Sequence, residues 1–350
     1  MAWSKCRFFI AKVHFSALFL GIFPIFYYLC AAMSESSLHT SSLPAAATIG
    51  FFDGVHRGHQ YLISQLCRVA GERGLRSLVV TFANHPRQIV STDWQPQLLS
   101  TPEEKLQLLQ QTGVGSVEVL TFNRQLASLS AREFMQQVLL QQLGVRLLLI
   151  GYDNRFGHNR EEGFADYVRH GRELGIEVVQ AQPLIESGVG ISSSLVRRQL
   201  SEGDVAAAAR CLGRPYQLSG NVVGGEHIGR HLGFPTANLQ PDHAQKLVPA
   251  TGAYAVRVRL ADDSREWPAM MNIGTRPTFE GSHQTLEAHL FGFEGNLYDR
   301  RITVSFEARL RGELRFPSAE ALAAQLRQDA LQAQQLLQSP SSFTLTSNSE

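Results

Sequence analysis

The chain has 350 residues, of which 44% are hydrophobic and 18% are charged, a composition that excludes a disordered protein. This length is too great for one ordinary core and predicts two domains. The net charge of +1 gives no basis for binding nucleic acid. The four cysteines form no Cys-x-x-Cys pair and no disulfide framework, which favours a reducing compartment.

The N-terminal segment is hydrophobic. Residues 15–32 are almost wholly apolar, and Lys5, Arg7 and Lys12 precede them. Signal peptides and membrane anchors share this pattern. A third explanation is that translation begins at Met33, in which case residues 1–32 form a leader without function.

The next part of the chain alternates short apolar strands with helices. The predicted strands are Ala47–Phe52, Ser77–Phe82, Val117–Phe122, Val145–Ile150 and Ile176–Val179. The predicted helices are Gly58–Gly71, a helix from Thr101, a helix from Ser130 to about Leu143, and Phe164–Leu174. Thr101 and Ser130 each open a capping box, because a glutamate follows three residues later. The alternation predicts an α/β domain, a Rossmann-like parallel sheet with helices on both faces.

After about Pro215 the pattern becomes one of strands separated by Gly, Pro, Asp and Asn. The predicted strands are Gln217–Val223, Tyr254–Leu260, Trp267–Ile273, Thr285–Phe291 and Ile302–Leu310. This spacing predicts a small antiparallel β-barrel, closed by a helix over Ser318–Leu337. We therefore expect domains at residues 45–212 and 215–338. Residues 339–350 are rich in Ser and Thr and predict a disordered tail.

The most informative segment is TIGFFDGVHRGH at residues 48–59, where the first strand turns into the first helix. Glycines at 50 and 54 would let a phosphate approach the backbone, and a helix N-terminus favours an anion. His56 and His59 are three residues apart, so both imidazoles can point at one phosphate. One such histidine alone would indicate only a surface or capping residue. The lysine of a Walker A loop is missing.

The pattern G-x-F-D-G-x-H-x-G-H resembles the signature of the H-x-G-H nucleotidylyltransferases. It is more closely similar to the bacterial bifunctional riboflavin kinase/FAD synthetases, as are the segments TFANHPR at 81–87, GYDNRFG at 151–157 and ISSSLVR at 191–197. The resemblance implies that His56 and His59 are catalytic. It implies ATP or phosphate binding by Gly50, Asp53, Gly54, Ser193 and Arg197, and flavin binding by Asn84, Arg87, Asp153 and Phe156. Ser194 stands where the family usually has Thr.

A second glycine-rich segment covers residues 220–238, GNVVGGEHIGRHLGFPTAN. Its tight turns, at Gly224 and Gly229, can wrap phosphate, and Thr236 and Asn238 offer oxygen ligands suited to Mg²⁺. A plain strand and turn ended by Pro235 is the alternative.

Alternation along residues 285–291 separates Glu287 from the apolar face of its predicted strand. There a carboxylate can accept a proton from an attacking hydroxyl, or can simply be an exposed acid. The ordered segments LGFPTAN, NIGTRPT, LEAHL and FEARLR resemble riboflavin kinases. That resemblance implies that Thr236 and Asn238 bind Mg²⁺, that Glu287 is the catalytic base, and that Arg311 lies near the flavin.

The resemblance implies an enzyme that converts riboflavin to FMN and FMN to FAD, with ATP and Mg²⁺ at each site. Its partners would be flavins and ATP. Because ATP is needed, we expect a cytoplasmic protein, with anchoring through residues 15–32 as the alternative. Two rival functions remain: an enzyme with only one of the two activities, and a membrane-anchored flavin-binding protein without catalysis.

Overall fold

The computed structural model describes residues 43–85, 88, 97–152, 154–186, 189–225, 233–278 and 281–338. The chain divides into two units, Met1–Leu43 and Pro44–Glu350, and every described residue except Leu43 belongs to the second. The predicted leader and the predicted tail lie outside the described residues, so both remain predictions. Within the described ranges, no helix combines the length and the apolar character needed to cross a bilayer.

The first half of the second unit contains a five-stranded parallel sheet. Its strands are β1 (Ala45–Ile49), β2 (Arg76–Phe82), β3 (Ser116–Leu120), β4 (Val145–Ile150) and β5 (Glu177–Gln180). Their order across the sheet is β3-β2-β1-β4-β5. Two short strands, β6 (Ile185–Glu186) and β7 (Val189–Gly190), form a separate antiparallel pair.

Helices connect these strands. They are α1 (Arg57–Glu72), α2 (Pro102–Gln110), α3 (Arg124–Ser128), α4 (Ala131–Glu133, continued as a π-helix over Phe134–Gln142) and α5 (Phe164–Leu174). Two more, α6 (Ser193–Glu202) and α7 (Val205–Leu212), follow the small hairpin. Both predicted capping boxes are present, at Thr101 and Ser130.

Both faces of the parallel sheet are buried. Along β1, Ala45, Ala47 and Ile49 enter one hydrophobic cluster, whereas Ala46 enters another on the opposite face. This division follows from the two-residue period of a strand. It confirms the predicted sheet with helices on both faces.

The second half is a closed antiparallel barrel. Its strands are β8 (Tyr216–Val223), β9 (Ala237–Pro241), β10 (Gly252–Leu260), β11 (Glu266–Thr278), β12 (Gly281–Leu290) and β13 (Arg301–Arg311). Their order around the barrel is β10-β11-β12-β9-β8-β13. The terminal helix α8 (Ala319–Leu337) packs on the outside of the barrel through Ala333 and Leu337, which contact Ala255 and Met270. The predicted barrel and closing helix are confirmed, but strand β9 was missing from the prediction.

The two halves share a hydrophobic core. Val196, Leu200 and Ala208 of helices α6 and α7 belong to the same buried cluster as Leu218 and Phe306 of the barrel. The barrel is therefore packed directly against the helices that follow the parallel sheet.

A backbone bridge also joins the halves. Leu98 pairs with Lys246 as an isolated parallel bridge, with hydrogen bonds from Leu98 N to Gln245 O (2.7 Å) and from Leu247 N to Leu98 O (2.8 Å). We call this contact, between residues 97–101 and 243–247, the interdomain seam. It lies next to the turn that follows β1, because Leu99 and Ser100 contact Asp53.

Candidate active sites

The turn between β1 and α1 has an unusual backbone. Phe52, Gly54 and Val55 have φ angles of 55°, 75° and 39°, and a positive φ is rare for a β-branched residue such as valine. A Cβ on Gly54 would lie 2.9 Å from Cβ of Leu99, so this position needs glycine for space as well as for conformation. Strain of this kind persists only where the surroundings enforce it, which marks the turn as a candidate functional site.

Two further glycines of the motif allow close packing. A Cβ on Gly50 would lie 3.0 Å from the ring of Phe52, so Gly50 accommodates that ring. A Cβ on Gly58 would lie 3.1 Å from the carbonyl oxygen of Ile191. Gly58 was not among the predicted site residues, although the H-x-G-H spacing contains it. Its role is to let the segment before α6 approach the start of α1.

The two motif histidines lie side by side, as their spacing predicts. The rings of His56 and His59 stack with centroids 3.6 Å apart and an interplanar angle of 17°. His56 caps α1, and its Nδ1 accepts a hydrogen bond from the backbone N–H of His59 (3.3 Å). In the neutral ring the proton is therefore on Nε2, which can donate to an anion.

Burial, together with the positive charges of Arg214 and Arg197, lowers the pKa of His56 to about 4. Burial and the adjacent His56 lower the pKa of His59 as well. Two protonated rings at 3.6 Å would repel each other. Both histidines are therefore neutral hydrogen-bond donors at neutral pH, rather than a pair of imidazolium cations.

We expect the His56 ring to stay neutral from pH 8 down to about pH 5. NMR of the ¹³C-histidine-labelled chain would test this, with the His56 signal assigned from its absence in His56→Gln. An unfolded histidine titrates near pH 6.5. Between pH 6.5 and 4 the unfolded chain therefore binds more protons at His56 than the folded chain does. The free energy of unfolding decreases as the pH falls through that window. A titration midpoint near 6.5 in the folded chain would contradict the expectation.

Asp53 connects the turn to two segments that are distant in sequence. Its side chain is 3% exposed, and it accepts hydrogen bonds of 3.0 Å from the backbone N–H groups of Leu99 and Ser100. Arg197 Nη2 donates to Asp53 Oδ2 at 2.5 Å. The structure thus brings two predicted phosphate-binding residues, 144 positions apart, into one ion pair. Within this structure the Asp53 carboxylate is directed at protein groups.

Helix α6 supplies the other predicted phosphate ligand. Ser193 Oγ donates to the carbonyl oxygen of Asp53 (3.0 Å), while Ser192 caps the helix by accepting from Leu195 N (3.2 Å). The Arg197 guanidinium also donates through Nε to the carbonyl of Gln97 (2.8 Å). The start of α6 and its first turns are therefore fixed against the turn after β1.

The predicted flavin-binding residues have different surroundings. Asn84 bridges two segments, since its Nδ2 donates to Phe122 O (2.9 Å) and its Oδ1 accepts from Phe122 N (3.0 Å). Phe156 stacks on Tyr167 at 4.3 Å, is partly buried and packs against a core cluster of the sheet. Arg87 and Asp153 lie outside the described residues. The neighbouring Asn154, which was not predicted, donates through Nδ2 to the carbonyl of Ile49 at the end of β1.

Three cations at or near the seam were missed by the sequence analysis. Arg214 donates to the carbonyl of Gly54 (2.8 Å), and burial lowers its pKa to about 10. Lys246, of the barrel half, donates to Leu99 O (3.0 Å) and pairs with Glu104 of α2. Lys105 is 4% exposed. A signal was available for Lys105, because it precedes the buried Leu109 by one helical turn.

The second site is at the junction of strands β9 and β12. Glu287 of β12 is directly opposite Asn238 of β9, and Thr236 Oγ1 donates to Glu287 Oε2 at 3.4 Å. The amide of Asn238 rests on Gly225, since a Cβ there would lie 2.1 Å from Nδ2. Gly224 has open space around its Cα, and Gly229 lies outside the described residues.

A hydroxyl, an amide and a carboxylate thus converge in this junction. All three offer hard oxygen donors, the set that Mg²⁺ prefers when substrate phosphates complete its coordination. The described residues contain no cluster of three or more His, Cys, Asp or Glu side chains that could hold a metal without a substrate. The donor set fits Mg²⁺ whose coordination substrate phosphates complete.

A cavity of about 360 Å³ opens beside these residues. Thr236, Ala288 and Leu290 line it on the barrel side, and Phe293 and Tyr298 line it from the loop between β12 and β13. This size and largely apolar lining suit a heterocyclic ring. Arg311, predicted to lie near the flavin, forms a bidentate pair with the buried Asp329 of α8 (2.8–3.1 Å) and lies 5.7 Å from the ring of Phe316.

Comparison with known proteins identifies both halves. The family model described as FAD synthetase matches residues 39–195, and that described as riboflavin kinase matches residues 212–337. The bifunctional riboflavin kinase/FMN adenylyltransferase of Escherichia coli strain K12 is 40% identical over 288 residues, 82% of this chain and 91% of that protein. Its namesake from Pseudomonas fluorescens is 42% identical over 292 residues, 83% of this chain and 92% of that protein.

A solved structure is also similar. It is described as a macrolide-efflux protein from Streptococcus pneumoniae, and it superposes with a TM-score of 0.75 at 29% identity. The superposition covers 83% of this chain and 94% of that one. The two chains therefore share the arrangement of sheet and barrel.

Proposed function

The chain belongs to the family of bifunctional riboflavin kinase/FMN adenylyltransferases, and on that premise we propose that it phosphorylates riboflavin to FMN and then adenylylates FMN to FAD. The observation that carries the proposal is the extent of the match. The relatives align over 91% and 92% of their own length, so the alignment spans both halves. Accordingly, we assign residues 45–212 to adenylyl transfer and residues 215–338 to the kinase.

In the kinase step the 5′-hydroxyl oxygen of riboflavin attacks the γ-phosphorus of ATP, and ADP leaves. Glu287 accepts the hydroxyl proton, a role supported by its hydrogen bond with Thr236, which lines the cavity. Thr236 and Asn238 would hold Mg²⁺, which neutralises charge on the phosphates when it is bound. The cavity of about 360 Å³ would take one of the two ring systems.

In the adenylyl-transfer step a phosphate oxygen of FMN attacks the α-phosphorus of a second ATP, and pyrophosphate leaves. The attacking group is already an anion, so no general base is required. His56 and His59 stabilise the transition state as neutral N–H donors, which agrees with their lowered pKa values. Asp53 fixes Arg197, and Arg197 in turn would face the phosphates.

The cellular location and the partners of the protein follow from its substrates. We propose a cytoplasmic enzyme, since both steps consume ATP, with flavins and ATP as its partners and no nucleic acid. Glycines 50, 54 and 224 would shape the backbone around phosphate.

Product analysis would test the proposed function. The full chain and a chain that begins at Met33 would be incubated with riboflavin, ATP and Mg²⁺, and flavins would be separated by chromatography over time. We expect FMN to appear first and FAD to follow. FMN without FAD would refute adenylyl transfer to FMN, and the absence of both products from folded protein would refute the enzyme.

A further inference from the structure

Lys105 is a buried cation beside the seam. Its Nζ donates to the carbonyl of Phe82 at the end of β2 (2.7 Å) and lies 4.0 Å from the centroid of the Phe51 ring. The side chain is 4% exposed. An ammonium has three N–H donors, of which one is used by Phe82 and another faces an aromatic ring.

No described carboxylate forms an ion pair with Lys105. The two nearby acids are already paired, Asp53 with Arg197 and Glu104 with Lys246. Burial lowers the pKa of Lys105 to about 8, and the charge of Asp53 opposes that shift only in part. A buried charge without a counter-ion is unfavourable, so this arrangement favours a ligand that brings a negative charge.

A cavity of about 200 Å³ adjoins the lysine. Its lining includes Phe51, Asn84, Ser100, Lys105, His243 and Gln245. They come from the ends of β1 and β2, from the start of α2 and from the barrel side of the seam. Ligands bind beyond the carboxyl ends of parallel strands, which is where this cavity opens. Its volume is below that of a site for a whole nucleotide and suits a phosphoryl group with its neighbouring atoms.

The charged groups around the seam also favour an anionic ligand. Among the described residues, four cations, Lys105, Arg197, Arg214 and Lys246, accompany two carboxylates, Asp53 and Glu104. A surplus of two positive charges is left for a ligand. The barrel side adds His243, whose Nδ1 accepts from Gln245 N (3.2 Å), which leaves Nε2 as a donor in the neutral ring.

We propose that Lys105 is the cation of a phosphate subsite in the cavity at the interdomain seam, where the N–H donor that it does not direct at Phe82 or Phe51 binds a phosphoryl group of an adenylyl-transfer substrate. This inference rests on the proposed function and names a binding residue for it. The phosphoryl group can be the monoester of FMN or part of the triphosphate of ATP, and both share the required chemistry.

Steady-state kinetics of the full-length Lys105→Met chain would test the subsite. Methionine keeps the length of the side chain and removes its charge. We expect KM for one adenylyl-transfer substrate to rise about 10- to 100-fold, the loss of a charge-assisted hydrogen bond. A higher KM for FMN identifies the flavin phosphate, and a higher KM for ATP identifies the nucleotide. In Lys105→Arg, which keeps the positive charge, KM should return most of the way to the wild-type value.

Riboflavin phosphorylation in the same chain is the internal control and should not change. Arg68→Met is the matched external control, because it removes an exposed cation from the same half, where Arg68 faces Glu72. Unchanged KM values for both substrates in Lys105→Met would overturn the subsite. Equal losses of both activities together with a lower melting temperature would also overturn it, since they indicate a structural role.

A second measurement does not need the methionine variant to fold. The whole sequence has four lysines, Lys5, Lys12, Lys105 and Lys246. In ¹³C-lysine-labelled wild-type chain, the Lys105 signal can be assigned from its absence in Lys105→Arg. FMN or a non-hydrolysable ATP analogue should shift that signal, and no shift with either would sink the proposal. Failure of the wild-type chain to convert FMN to FAD would instead refute the proposed function.

Discussion

Replacing Glu287 by Gln is expected to lower riboflavin phosphorylation by about 10²- to 10⁴-fold, the usual contribution of a general base. Glutamine has nearly the same shape and can still accept the hydrogen bond from Thr236 (3.4 Å), but it cannot take the proton of the attacking hydroxyl. Adenylylation of added FMN should be unchanged, because Glu287 belongs to the barrel half. Chromatographic assays that start from riboflavin and from FMN separate the two effects.

Glu266→Gln is the matched control for this experiment. Glu266 is an exposed acid on β11, the strand that pairs with β12 on the side away from β9. Its replacement should leave both activities intact. Kinase activity within a few-fold of wild type in Glu287→Gln would remove Glu287 from the reaction and reopen the single-activity alternative.

Replacing Asp53 by Asn is expected to impair adenylylation by about 10²-fold, as small misplacements of catalytic groups do. The amide introduced at this position would present an N–H group where Leu99 and Arg197 now donate, so the ion pair and at least one hydrogen bond would be lost. We expect the free energy of unfolding to fall by about 2–4 kcal/mol. This is below the range for fully buried pairs because Arg197 is partly exposed.

Asp242→Asn offers the comparison for Asp53. Asp242 pairs with Arg301 on the barrel surface at 2.6 Å, in a setting where ion pairs contribute about 0–1 kcal/mol. Thermal unfolding and both activity assays would be measured for each variant. Full adenylylation by a folded Asp53→Asn chain would show that the Asp53–Arg197 pair does not position a catalytic group.

Much of the fold could be predicted because its signals are local. Val145–Ile150 is a strand and Phe164–Leu174 is a helix with the predicted bounds, since apolar runs and periodicity need no knowledge of distant residues. Strand β9 was missed because Ala237–Pro241 has only two buried apolar side chains, Ala237 and Leu239, begins two residues after Pro235 and ends in a proline. It is short, but it closes the barrel and carries Asn238.

The candidate sites were predictable as motifs and less so as contacts. The juxtaposition of His56 and His59 follows from their spacing and the start of a helix. The pair between Asp53 and Arg197 does not, because 144 residues separate them and only the fold brings them together. Both had been predicted as ligands of phosphate, and in the structure each is also the other's partner. Lys246 carried no motif at all.

The division into domains is less sharp in space than along the sequence. The family models leave residues 196–211 between them, and these residues form most of α6 and α7. Their apolar side chains pack with the barrel as well as with Leu99 of the other half. Pattern analysis could not reveal this, because a helix that packs on two partners has the same periodicity as one that packs on a single partner.

The scarcity of lysine between Pro44 and Gln338 has a practical consequence. The two lysines in this range, Lys105 and Lys246, are 4% and 7% exposed, and both lie at or beside the contact between the halves. Lys105 lines the proposed phosphate cavity, whereas Lys246 donates to Leu99 O and pairs with Glu104 of the other half, so reagents that acylate primary amines should reach Lys246 when that contact opens. The rate of amine modification at Lys246 is therefore expected to report transient separation of the sheet and the barrel, and no probe has to be introduced.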